Sequence, residues 1–151
     1  MQALYAHEIS KDPAEHVIKH NLVGLEGNKD AHVFAKQLVF ATIEHAADID
    51  KVIKSKVANW DFNRIALIDR LILRMGVCEL LYFKDIPPNV SMNEAIDLAK
   101  LFCTERSGPF VNGILNAVLE DLKKTGDYAK AGRGLHDGAG PRAKKPKPAK
   151  A

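Results

Sequence analysis

Between Arg64 and Phe83 the chain reads RIALIDRLILRMGVCELLYF, and no other stretch limits the possible folds as strongly. Ile65, Leu67, Ile68, Leu71, Ile72, Leu73, Met75, Val77, Leu80 and Leu81 fall on nearly every face of a helix drawn through it. A helix that is apolar all round is a central one, because only enclosure by other elements removes all of that surface from water. It is not a membrane span: Asp69, Arg70, Arg74 and Glu79 punctuate it well before the ~20 apolar residues a span needs. Pro87 and Pro88 stop it, since neither has an N–H for a helical hydrogen bond.

The flanking segments are helical by the same reading. Asp12-Pro13-Ala14-Glu15 resembles a capping box with proline at the first helical position, and Gly24 and Gly27 are expected to close that helix. Asp30 is expected to cap the next helix, where Val33, Phe34, Leu38 and Ile43 form a stripe of helical period. Ile49, Val52, Ile53 and Val57 repeat the pattern on a shorter helix ending near Asn59-Trp60, before a loop through Asp61 and Asn63. Ser91-Met92-Asn93-Glu94 has the S-x-x-E form of a capping box and would open a helix burying Ile96, Leu98, Ala99 and Phe102. Ser107-Gly108-Pro109 would start the last helix, with Val111, Ile114, Leu115, Val118, Leu119 and Leu122 inward. Nothing alternates with period two for long enough to form a strand, and no internal repeat is present. The expected fold is all-α, a compact bundle of about six or seven helices around the 64–83 segment.

Composition sets the boundaries of that domain. The 151 residues suffice for one core, expected over residues 1–125. Residues 126–151, ending GAGPRAKKPKPAKA, carry almost no bulky apolar side chains and are expected to be a disordered basic tail. Charge divides in the same place. Met1 to Leu122 carries 13 Lys plus Arg against 17 Asp plus Glu, whereas Lys123 to Ala151 carries 9 against 2. A basic block on an acidic body suits either a solubilising tail or one that meets polyanions. Two cysteines, Cys78 and Cys103, make no disulfide framework and suit a reducing, cytoplasmic setting, and the N-terminus lacks a secretory pattern.

Enzyme chemistry finds little support. His16 and His20 stand i,i+4, but no HExxH pattern or third ligand follows, and neither cysteine sits in a CxxC. There is no glycine-rich phosphate loop. The expectation is a non-enzymatic protein without metal or cofactor. Asp69, Arg70, Arg74 and Glu79 are then the unusual residues, since unpaired charge among leucines is costly. They are expected either to pair with other helices, to emerge at a thin exposed strip, or to face a partner.

Several motifs occur in order here: D-R-L-I-L-R at 69–74, E-L-L-Y at 79–82, I-P-P-N-V at 86–90, N-E-A-I-D-L-A-K at 93–100 and F-V-N-G-I-L-N at 110–116. Together they resemble the C-terminal half of the NusB family of bacterial transcription antitermination factors. A weaker resemblance runs upstream through Trp60, the Phe34 to Ile43 segment and Gln2-Ala3-Leu4-Tyr5. The resemblance implies an all-helical RNA-binding protein that pairs with NusE, a small-subunit ribosomal protein. The pair would bind single-stranded boxA-type RNA and act on the transcription elongation complex in ribosomal RNA operons. It implies that Tyr5, Asp69 and Glu79 face NusE, acidic side chains suiting a basic ribosomal partner. It also implies that RNA meets the Thr104–Phe110 break. There Phe110 is a candidate for base stacking or for core packing, Arg106 for phosphate or base contact, and Ser107 for capping a positive helix end. Arg106 stands where the family often carries an acid. In the family an arginine-rich arm precedes the Q-A-L-Y motif; here Met1 already lies in that first helix, so either the sequence is truncated, or its start is placed too late, or the arm is absent and RNA affinity reduced. A protein-interaction module, or a homodimer with its RNA surface masked, is the alternative.

The tail carries Lys144, Lys145, Lys147 and Lys150 and is a candidate replacement for that arm. Deleting the residues after Gly126 should then flatten the dependence of RNA affinity on salt concentration, because each lost phosphate contact removes roughly 0.7 from the log–log slope for a single strand. An unchanged slope would assign the tail to solubility alone.

Overall fold

The computed structural model describes residues 1–57 and 59–127; the expected disordered tail, with its lysines, lies outside the described residues from 128 onward. Among the described residues there are seven α-helices and no strand: α1 (Gln2–Ser10), α2 (Ala14–Asn21), α3 (Lys29–Glu44), α4 (Ala46–Lys56), α5 (Leu67–Tyr82), α6 (Pro88–Phe102) and α7 (Ser107–Thr125). Short 3-10 turns occupy Val23–Leu25 and Phe62–Arg64. The all-α expectation of about six or seven helices built on the 64–83 segment is met, with α5 as the central one of seven among the described residues.

Helix α5 packs against α1, α3, α4, α6 and α7, and it divides the interior into two apolar clusters. Ile72, Leu73, Val77 and Cys78 are fully buried in the larger one, with Ile49 and Ile53 of α4, Ala99 of α6, and Val111 and Leu115 of α7. Leu71 points the other way, into the smaller cluster with Leu4 of α1, Ile18 of α2 and Val39 of α3. Successive residues of α5 are thus buried on opposite sides, as an all-round apolar helix requires. Gly76 allows the closest approach. A Cβ there would stand 3.0 Å from both Leu115 methyl carbons and 3.5 Å from the Ala95 Cβ, so a side chain would force the Leu115 methyls to give by a few tenths of an ångström.

Several helix starts differ from the sequence reading. Helix α6 begins at Pro88, which has no N–H to leave unsatisfied and brings a preset φ; Ser91 therefore lies inside the first turn, buried, and is not the cap. The cap of α3 is Asn28, not Asp30: its side-chain oxygen accepts from the Ala31 N–H at 3.0 Å. Pro13, not Asp12, is the N-cap position of α2, and the Asp12 carboxylate pairs instead with His16 Nδ1 at 3.2 Å. That helix ends at Asn21 with Leu22 as its C-cap, before Gly24 and Gly27 are reached. The left-handed C-caps belong to Lys11 after α1 and Gly126 after α7. The central helix starts three residues later than expected. Asp61 accepts from the Asn63 N–H at 2.9 Å and winds residues 62–64 into a 3-10 turn first.

One charge of α5, that of Arg74, is met by ion pairing. Arg74 makes a bidentate contact with Asp50 of α4, Nε to Oδ1 at 2.7 Å and Nη2 to Oδ2 at 2.8 Å, with Glu8 of α1 3.5 Å from Nη1. The Asp50 hydrogen bond raises the Arg74 pKa against the opposing effect of burial. Arg70 lies over the Phe62 ring, 5.5 Å from its centroid. Breaking the Arg74 pair should be expensive because both side chains are mostly enclosed, 13% and 17% exposed. Asp50→Ala is expected to lower unfolding free energy by about 3 kcal/mol, at the low end for a buried pair. Asp121→Ala, which removes the half-exposed partner of Lys56, should cost less than about 1 kcal/mol. Urea unfolding of the two variants tests this ordering; equal losses would contradict it.

Candidate nucleic-acid interface

The start of α5 and the start of α7 lie side by side, and a cleft of about 340 Å³ opens beside them. Thr104, Arg106, Ser107 and Phe110, the four residues expected at the RNA edge, all line it. Asp69, expected on the NusE side, lines the same cleft. Trp60 and Arg64, from the turn before α5, complete the exposed wall, and neither was singled out as a contact by the sequence. A lone tryptophan in a polar turn, W-D-F-N-R, was the available clue.

Hydrogen bonds fix the inner wall. The Ser107 hydroxyl donates to Asp69 Oδ2 at 3.1 Å, joining residues 38 apart in sequence. A carboxylate can only accept, so Ser107 spends its proton there and the Thr104 hydroxyl, 3.3 Å away, donates to Ser107 Oγ. Asp69 Oδ1 is enclosed and has no hydrogen-bond partner among the described residues. Ser107 is therefore buried and committed, not a free cap: it is the first residue of α7, and Arg106 occupies the N-cap position without a side-chain cap bond. The first turn keeps little for an anion. The Ser107 N–H bonds the Thr104 carbonyl, the Phe110 N–H bonds the Arg106 carbonyl, and Pro109 has no N–H. Anion attraction at this edge rests on the exposed side chains of Arg64 and Arg106. Phe110 is half-buried, packed on the main core and also lining the cleft, so it combines both roles considered for it.

The three residues expected to face NusE do not form one patch. Tyr5 is exposed on α1, in a shallow depression with Ile68, the neighbour of Asp69. Glu79 is only 8% exposed and stands ten residues along α5 from Asp69, roughly 15 Å by helix rise. The i,i+4 histidines pack edge to face at 4.5 Å, and no group of three His, Cys, Asp or Glu residues able to hold a metal occurs among the described residues.

Comparison with known proteins decides the relationship. The model of the NusB family matches residues 1–120. The chain belongs to the NusB family. It is 43% identical over 137 residues to the transcription antitermination protein NusB of Salinibacter ruber, covering 89% of this chain and 85% of that one. It is 40% identical over 138 residues to the NusB of Chloroherpeton thalassium, covering 91% of this chain but spanning 65% of that relative's length. Among solved structures, NusB in the complex of antitermination factors NusB and NusE with double-stranded RNA superposes with a TM-score of 0.71. That match has 30% identity and covers 80% of this chain and 89% of that one.

In this NusB-family chain the cleft also governs a cysteine. Burial, followed by the Asp69 carboxylate that the thiol faces, pushes Cys103 up to about 12. Burial likewise raises Cys78 to about 11. The thiolate is the reactive form, so at pH 8 only on the order of one part in a thousand of Cys78 and one in ten thousand of Cys103 is poised to react. Both should resist iodoacetamide at pH 8 in the native protein and react freely in urea. Rapid native labelling of Cys103 would show that Asp69 does not hold it protonated.

Proposed function

We propose that this NusB-family protein is a transcription antitermination factor that binds boxA-type RNA as a heterodimer with NusE and acts on the elongation complex in ribosomal RNA operons. It works by binding and not by catalysis. The observation that carries the reading is the cleft at the start of α7, where two exposed arginines stand beside two aromatic rings. Unpaired RNA is held by that combination, cations for the phosphates and π-faces for the bases. The relatives' shared name and the solved NusB–NusE–RNA complex support the same role. Tyr5 and Asp69 are proposed as NusE contacts, with Thr104, Arg106, Ser107 and Phe110 on the RNA side. An acidic body, 13 cations against 17 anions up to Leu122, complements a basic ribosomal protein. No helix among the described residues is long and apolar enough to cross a membrane, and a cytoplasmic site of action follows from the proposed role.

The alternative, an interaction module or homodimer, draws on apolar side chains left outside the core: Val33, Phe34, Leu101 and Phe102 are all exposed. Anisotropy of a labelled boxA RNA separates the two readings. NusE should raise the chain's affinity for single-stranded boxA RNA, and Arg106→Ala should reduce the log–log salt slope by roughly 0.7. If NusE gives no gain on single- or double-stranded RNA, the antitermination reading fails and the interaction module takes its place.

A further inference from the structure

We propose that Lys54 of α4 and Arg70 of α5 form a phosphate-binding site over the Phe62 ring, which holds one backbone phosphate of the bound RNA outside the cleft. The inference rests on the RNA-binding reading above and adds a contact that uses no residue of α7.

The two residues are set apart by their missing counter-charges. Helix α4 carries three lysines. Lys51 pairs with Asp48 at 3.6 Å and Lys56 pairs with Asp121, but Lys54 has no ion pair among the described residues. Helix α5 carries two arginines, of which Arg74 is held by Asp50 and Glu8 while Arg70 has no ion pair. The unpaired cation of each helix comes to the same ring. Lys54 Nζ lies 5.0 Å, and the Arg70 guanidinium carbon 5.5 Å, from the Phe62 centroid. The two charges are therefore within about 11 Å of each other, close to the ~8–10 Å over which physiological salt screens them. Phe62 is buried and holds both in place, yet a ring quadrupole cancels neither charge.

Both cations can be reached. Lys54 is exposed. Arg70 is half-buried, and only its Nε is enclosed without a partner, which leaves the two Nη groups open to solvent among the described residues. Asp50, one turn before Lys54, is committed to Arg74, and Glu8 is shared between Arg74 and Lys11. An anion is what this pair lacks. Its position selects RNA as the source. Phe62 shares a 3-10 turn with Arg64, and Arg70 follows Asp69, so two residues of the cleft wall adjoin the site directly. A strand whose phosphates pass Arg64 continues onto it. A guanidinium fork beside an ammonium point charge suits the several oxygens of a phosphate. A basic ribosomal protein is repelled by the same pair.

The test uses the full chain with NusE and a labelled single-stranded boxA RNA, with affinity followed against salt concentration. Lys54→Gln and Arg70→Gln should each reduce the log–log slope by roughly 0.7 and weaken binding about 3- to 5-fold at about 0.15 M salt. Arg70→Lys, which keeps the charge, should recover most of the loss. Lys51→Gln, at the neighbouring lysine that has a partner, should change neither quantity. Because Lys54 is exposed, Lys54→Gln should keep the wild-type melting curve and decides the matter if Arg70→Gln unfolds. A neutral methylphosphonate moved along the RNA should find one linkage whose replacement weakens wild-type binding but leaves Lys54→Gln binding unchanged. Equal slope losses in Lys51→Gln and Lys54→Gln would reduce the pair to a general field and overturn the site. Firm wild-type RNA binding with an unchanged slope in Lys54→Gln overturns it and leaves the RNA-binding reading standing. Weaker NusE binding with unchanged RNA affinity makes the pair a protein-docking site and overturns it too. Absence of any RNA binding by the wild-type complex overturns both.

Discussion

Everything in this molecule is arranged around the enclosure of α5. A helix with leucine, isoleucine or valine on every face has no stable place at a surface, and five other helices meet that demand by packing around it. Gly76 lets α7 come close, since a Cβ there would stand only 3.0 Å from the Leu115 methyls. Close approach has an electrostatic corollary. Arg74 is carried into the same crowded zone, where a lone guanidinium would be prohibitively desolvated, and Asp50 and Glu8 reach in from α4 and α1 to neutralise it. That ion-pair network ties three helices together, and it explains one of the charges that otherwise look out of place in an apolar segment.

The same packing builds the candidate site. Helices α5 and α7 both run into the core, so their first residues, Leu67 and Ser107, lie near one another at one end of the bundle. The Asp69–Ser107 hydrogen bond, between residues 38 apart in sequence, is the visible seam between them, and the cleft beside it draws its walls from both segments. The site therefore sits on two helix ends and one short 3-10 turn.

How much of this was readable in advance varied with the range of the interaction. Helix number, the enclosure of 64–83 and the break at Pro87-Pro88 were readable because each follows from periodicity or from proline's missing N–H. Caps were less readable. Ser91 carried the S-x-x-E pattern yet lies inside α6, because Pro88 three residues earlier was an equally good start and the buried position of Ser91 decided between them. Asp30 lost to Asn28 in the same way. Glu79 was grouped with Asp69 by the family resemblance, and helix geometry places the two roughly 15 Å apart, with Glu79 largely buried. Trp60 and Arg64 were missed as site residues since nothing local distinguishes a tryptophan lining a cleft from one folded inward.

The sequence by itself determined the fold class, the central helix and the family, because those depend on hydrophobic period and on the order of short motifs along the chain. Tertiary structure alone decided which charges are paired, and which residues share a cleft. Pairing Arg74 with Asp50, or Asp69 with Ser107, depends on distances of about 3 Å between segments far apart in sequence. No local rule along the chain specifies such distances; they are set when the helices close on α5 and the side chains at their ends take the space that remains.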